Sequence, residues 1–266
     1  MLLLSFKLRL VCLEGIELVW FKDYRSNRTQ VGGYQSFFSD PCALPSGVPQ
    51  GSILGPLFFV LFINDLPDAV LQCSILLYVD DAVIFFTHRD AMVIEKVLNE
   101  ELVIVNNWTH KNFLFLNKHK TEVVIFGMDA RISQVSCFKV YIGNYELTRV
   151  SEFKYLGIVL DENVSWKAHV KYLITKGGKR VGMLGRLQKN LTVGAANTLY
   201  KLLIVPIFYY CDSVWSCCNK CDTDGLERLQ RQAAKIVAMS SSSDTAFQIL
   251  KWVPLESRRD KHVSVS

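Results

Sequence analysis

Residues 76–85 read Leu76-Leu77-Tyr78-Val79-Asp80-Asp81-Ala82-Val83-Ile84-Phe85, two apolar runs with a pair of adjacent carboxylates between them. The β-type composition predicts strands over 75–79 and 82–86, with Asp80 and Asp81 at or beside the turn. Two unit charges about 4 Å apart repel by roughly 4 kcal/mol at an effective dielectric near 20, so a partly buried pair favours a cation. Neighbouring side chains alternate on an ideal strand, but at a tight turn both can approach one ion. Taken alone, the pair fits either a cation site or a solvated hairpin tip, although Asp-Asp lacks the glycine that two-residue hairpins prefer.

Upstream, Ser39, Pro41, Pro45, Gly47, Pro49 and Gly51 form a breaker-rich loop, and Ser52 is placed to cap an apolar helix running to about Asn64. The early glycines and the free N–H groups at a helix start suit a phosphate or a base edge as well as a rigid turn. Downstream, Ile94, Val97, Leu98, Leu102, Val105 and Trp108 recur at helical spacing, and the β-branched run 121–126 predicts another strand. Residues 52–127 therefore run helix, strand, strand, helix, strand, the split β-α-β order without its opening strand. Residues 1–25 read as helical with a break at Gly15, 29–38 as strand-like, and 138–142 and 153–160 as short strands. From Ala168 onward the pattern is helical and basic, which places a domain boundary near Trp166. The fold class is α+β.

Half of the 266 residues are hydrophobic and 21% are charged, which excludes a disordered polymer or a fibrous repeat. The net charge of +5 is unevenly placed. Residues 167–266 carry 16 basic and 7 acidic side chains, net +9, and residues 1–166 carry 14 and 18, net −4. That asymmetry points to a polyanion held by the back of the chain and carboxylate chemistry in the front. Neither 53–63 nor 202–210 reaches the roughly 20 apolar residues of a membrane span. Lys7 and Arg9 interrupt the apolar start before it reaches signal-peptide length, so the chain is expected to be intracellular and not secreted. Of eight cysteines, Cys211, Cys217, Cys218 and Cys221 cluster, but without a second knuckle or a nearby histidine. Reduced thiols are expected.

Several spaced blocks, in order, resemble one family. Gly47 to Pro56 is followed by Leu57-Phe58-Phe59-Val60-Leu61-Phe62-Ile63-Asn64-Asp65-Leu66-Pro67, and then by Tyr78-Val79-Asp80-Asp81. Later come Leu116-Asn117 with Lys120-Thr121-Glu122, Phe153-Lys154-Tyr155-Leu156-Gly157 with Asp161, Trp166 and His169, and Leu229-Gln230-Arg231 with Trp252 and Arg258-Arg259. The chain closely resembles the reverse transcriptase of non-LTR (LINE-type, jockey-like) retrotransposons over nearly its whole length.

The resemblance implies a right-hand polymerase: a partial palm over residues 1–166, including a primer-grip segment, and an α-helical basic thumb with a C-terminal extension over 167–266. It implies extension of a DNA primer on an RNA template from deoxynucleoside triphosphates, with two Mg²⁺ ions, in the nucleus or cytoplasm. Asp80 and Asp81 match the metal-binding catalytic pair. Tyr78 and Val79 flank the primer end, Val79 standing where this branch usually has alanine. Gln50 and Gly51 match the loop under nucleotide and template, and Tyr155, Leu156 and Gly157 the primer grip. Lys120 resembles the lysine proposed to protonate the leaving pyrophosphate, and equally an ordinary surface lysine. Lys167, Lys171, Lys176, Lys179, Arg180, Arg186 and Lys189 are placed to meet duplex phosphates, or to form a solvated helix face.

The carboxylate that bridges both ions sits, in the family, on a strand before the segment that opens this chain. Fingers, endonuclease and RNase H are not recognisable either. The chain is therefore read as a truncated or decayed back palm and thumb, with a non-catalytic nucleic-acid-binding remnant and a co-opted helical interaction protein as alternatives.

Overall fold

The helical spacing of Val97, Leu102 and Val105 is realised in one helix, Ala91–Lys111, which buries that face. Asp90 starts it, its Oδ1 accepting from Met92 N at 2.9 Å as an N-cap. The structure, a computed structural model, describes residues 2–10, 12–44, 47–48, 51–135 and 137–257. The chain divides into two units, Met1–Thr121 with Cys137–Leu147, and Glu122–Ser136 with Thr148–Ser266.

In the first unit the expected helical start breaks just ahead of Gly15 (φ +64°), which opens the second of the helices Leu2–Leu10 and Gly15–Arg25. Leu4, Leu8 and Leu18 close on Phe58 of the helix Leu54–Ile63, and the Phe21 ring meets Phe58 edge-on at 5.1 Å. Ser52 Oγ accepts from Gly55 N at 3.1 Å, one residue outside the N-cap Ile53. Lys7 is buried. Its Nζ donates to Phe62 O and Asp65 Oδ1, both at 2.6 Å, and sits 4.7 Å from the ring centroids of Phe62 and Trp108. Pairing and ring contact together offset the cost of taking an ammonium out of water.

Residues 29–38 form two small hairpins rather than one strand: Arg28–Gln30 pairs with Cys42–Leu44, and Gly33–Tyr34 with Phe37–Phe38. The carboxylate-bearing hairpin is Ser74–Tyr78 against Asp81–Phe85, in register from Ser74↔Phe85 to Tyr78↔Asp81. The split β-α-β sheet is not formed among the described residues, where every sheet has two strands. Only Glu122–Val123 of the run 121–126 is a strand, and it pairs in parallel with Thr148–Arg149. Its neighbourhood is claimed by the second unit: Val150 N donates to Val123 O at 2.9 Å and Gly127 N to Glu162 O at 3.1 Å.

In the second unit a hairpin stands where one strand was expected over 153–160. Glu152–Tyr155 pairs with Ile158–Asp161, turning at Leu156 (φ 46°) and Gly157 (φ 87°). Two successive positive φ values give the type I′ twist that matches flanking strands. The helix Lys220–Ala238 buries Leu226, Leu229, Ala233 and Val237, four positions of one helical stripe, and packs on Lys167–Leu187, which buries Val170, Leu173, Val181 and Leu184. A Cβ on Gly177 would stand 2.9 Å from Leu229 Cδ2, so glycine sets the approach of these helices. Ile158 and Leu160 of the hairpin pack on the same core as Trp166. The compact unit therefore begins upstream of the Trp166 boundary expected from composition, because the 152–161 hairpin and the helices share one apolar interior. No helix among the described residues is long and apolar enough to cross a membrane.

Candidate functional site

Because Tyr78 pairs with Asp81, the turn consists of Val79 and Asp80. Of the two, only Val79 has a positive φ, 54°. A β-branched residue in that region is a steric outlier worth about 1–3 kcal/mol of strain, and such strain concentrates at functional turns. Asp80 and Asp81 are exposed, as is Tyr78. In solvent their mutual repulsion falls toward about 1 kcal/mol at 4 Å, which leaves the pair open to a ligand. Two adjacent oxygen-donor side chains suit a hard divalent cation. Among the described residues no group of three or more His, Cys, Asp or Glu side chains comes together to hold a metal.

Below the tip, the feet of the hairpin are held by polar contacts. Glu101, fully buried on Ala91–Lys111, accepts from Leu71 N through Oε1 at 3.2 Å and Oε2 at 3.0 Å, and from Gln72 N through Oε1 at 2.8 Å. Burial, reinforced by the Glu101 charge, pushes the Cys73 thiol up to about 11. Sequence reading missed Glu101, although a signal was present: an acid between Val97 and Val105 interrupts the apolar face at i+4 spacing.

Lys120 is exposed in the turn ahead of Glu122, its N–H donating to Asn117 O at 3.0 Å, and among the described residues no ion pair links it to either aspartate. Gly51 is exposed with φ +80°, and a Cβ there would meet nothing within 4 Å. Gln50 lies outside the described residues, as do Arg258 and Arg259.

Tyr155, Leu156 and Gly157 form the turn region of the second hairpin. Tyr210 fixes that turn: its hydroxyl donates to Leu156 O at 2.6 Å, and a Cβ on Gly157 would stand 3.1 Å from its ring. Val159 N donates to His169 Nδ1 at 3.2 Å, and burial lowers the His169 pKa. Lys167, Lys171, Lys179 and Arg186 are exposed on Lys167–Leu187, and at the helical period they fall within about 120° of one another, opposite the buried stripe. Arg180 is half-buried at the margin. Lys154, Tyr172 and Lys176 extend this surface. Lys154 Nζ donates to Tyr172 OH at 3.0 Å, Lys176 Nζ lies 5.4 Å from the ring centroid, and the Lys154 hydrogen bond leads in holding the phenol below its ordinary pKa.

The reverse transcriptase (RNA-dependent DNA polymerase) family model matches residues 20–160, just over half of the chain, and the chain belongs to that family. The match spans both turns, 78–81 and 155–157. The chain is 26% identical over 226 residues to "Probable RNA-directed DNA polymerase from transposon BS" of Drosophila melanogaster, covering 81% of this chain and 25% of that protein. It is 24% identical over 228 residues to the RNA-directed DNA polymerase from mobile element jockey of the same fly, covering 82% and 24%. Over 236 residues it is 28% identical to the Pol polyprotein from type-1 retrotransposable element R1 of Nasonia vitripennis, covering 83% and 69%. The chain thus spans about a quarter of the length of the two Drosophila relatives.

Proposed function

We propose that this chain supplies palm and thumb surfaces of an RNA-directed DNA polymerase encoded by a non-LTR retrotransposon, acting on an RNA template, a DNA primer and deoxynucleoside triphosphates. The observation that carries the reading is the strained, solvent-facing turn that presents Asp80 beside Asp81, within the family match. Residues 1–166 form the palm side and 167–266 the thumb, the grip hairpin being built onto the thumb's apolar core. Asp80 and Asp81 are the residues that would hold Mg²⁺, which would supply charge stabilisation for phosphoryl transfer. Tyr78 and Val79 shape the primer end, and Gly51, with Gln50, the nucleotide and template side. Lys120 stands as the proton donor to the departing pyrophosphate. The Tyr155-Leu156-Gly157 turn steadies the primer strand, and the basic face from Lys167 to Arg186 meets duplex phosphates without reading sequence.

The test uses the full chain. Mn²⁺ is expected to broaden amide signals around 78–82, and Asp80→Asn with Asp81→Asn to abolish the effect. An RNA–DNA duplex is expected to bind with a steep salt dependence that reversal of Lys167, Lys171, Lys179 and Arg186 flattens by roughly 0.9 in log–log slope per lost phosphate contact. Primer extension that disappears in Asp80→Asn establishes turnover by this chain. Duplex binding without extension assigns it the binding role alone, and absence of both cation and duplex binding overturns the reading.

A further inference from the structure

The carboxylate-bearing hairpin has no third strand among the described residues, and its two feet carry specific polar ties. Both are tied to one helix. The outgoing strand Asp81–Phe85 runs down to Asp90, whose side chain caps Ala91–Lys111 through Met92 N. The incoming strand Ser74–Tyr78 is preceded by Leu71 and Gln72, whose amides are both taken by Glu101. The short helix Leu66–Ala69 ends just before them, Val70 N donating to Pro67 O, and the next two N–H groups turn to Glu101 instead. Asp90 and Glu101 stand eleven residues apart on the helix, about 16 Å at its rise, and this fixed base carries the turn at its far end.

We infer that Glu101 is a positioning residue for the Asp80–Asp81 pair, acting through the backbone of Leu71 and Gln72 rather than by touching metal, nucleotide or primer. The inference rests on the polymerase reading for the purpose of the pair, but the clamp itself does not. A fully buried carboxylate whose partners are two consecutive main-chain amides thirty residues away makes costly contacts to lose, because removing it leaves donors unpaired beside an apolar helix face. Nothing in helix formation requires it: an alanine or leucine would serve the Val97–Val105 face better. Its placement answers a need of the hairpin foot.

The decisive comparison sets Glu101→Gln and Glu101→Ala beside the exposed neighbour Glu100→Gln in the full chain. With Glu101→Gln, helix content and the melting of the second unit are expected to stay unchanged. Amide exchange at Leu71, Gln72 and along 74–85 should accelerate about ten- to a hundredfold, the loss expected for a hydrogen bond to a charged group. Mn²⁺ should bind the turn several-fold more weakly, and alkylation of Cys73 should move to lower pH as the opposing charge disappears. If Glu101→Ala fails to fold, the near-isosteric glutamine variant still decides. Wild-type exchange over 71–85 in Glu101→Gln, or a loss of protection spread evenly over the whole first unit, overturns the inference. If Asp80→Asn leaves Mn²⁺ binding unchanged, the metal reading falls while the exchange result still decides the role of Glu101.

Discussion

Among the described residues, the second unit gathers nineteen buried hydrophobic side chains into one cluster, whereas the N-terminal cluster of the first has four, Leu4, Leu8, Leu18 and Phe58. The two turns follow this division. The Leu156–Gly157 turn grows from strands whose Ile158 and Leu160 pack on the large core, with Tyr210 and His169 bonding its backbone. The Val79–Asp80 turn grows from a hairpin with an exposed tip, tied at its feet by Asp90 and Glu101. The 156–157 turn is seated on packing, which is non-directional and cumulative. The 79–80 turn presents two charges to solvent, and directional hydrogen bonds from Asp90 and Glu101 hold the feet of its hairpin.

Substitutions in the two cores test that contrast most strongly. Trp215, fully buried, stacks edge-on with His169 at 5.7 Å and donates to Tyr210 O at 3.1 Å. Trp215→Ala is expected to cost about 3–5 kcal/mol in urea unfolding of the second unit, and Phe58→Ala, in a cluster freer to collapse, to fall near the low end of that range. Equal losses with equally sharp transitions would erase the difference between the units.

A smaller effect of opposite sign is expected at the strained turn. Val79→Gly releases about 1–3 kcal/mol of left-handed strain and gives back about 0.5–1 kcal/mol to the freer unfolded chain, for a net gain of about 1 kcal/mol. Slower amide exchange at Leu77 and Ala82 would register it. Unchanged or faster exchange would mean that the positive φ at 79 carries no strain.

At the other turn, Tyr210→Phe removes only the hydroxyl on Leu156 O and should cost about 0.5–1 kcal/mol, seen as faster exchange confined to 152–161. A change in global melting with no local signature would place the role of Tyr210 in the core instead.

The mildest signal is a slope. Burial holds the His169 imidazole below its ordinary pKa, so as pH falls the unfolded chain takes up the proton first. Stability from this group is complete above about pH 6.5 and declines as pH drops toward the folded value. His169→Gln, which still offers an acceptor to Val159 N, should flatten that part of the profile. A variant that keeps the full acid slope would assign it to other groups.

Local chemistry was legible in the order of residues. The period of Ile94 to Trp108 and the carboxylate pair between two β-type runs depend on neighbours within a few positions and appear where the pattern put them, while the helix that Ser52 was expected to cap has Ile53 at its N-cap, Ser52 Oγ accepting from Gly55 N one residue outside. The spaced motif blocks likewise pointed to the reverse transcriptase family, because a run of motifs in fixed order is itself a property of sequence. Tertiary structure alone decided which partner each segment takes. Glu122–Val123 carries a good strand composition but pairs with Thr148–Arg149, and the run 153–160 folds back on itself at Gly157. The unit boundary moved upstream of Trp166 because Ile158 and Leu160 found the helical core. Glu101 became a clamp only when Leu71 and Gln72 arrived beside it. Composition fixes what a segment can pair with, whereas competition among distant donors, acceptors and apolar faces, settled together on folding, fixes what it does pair with.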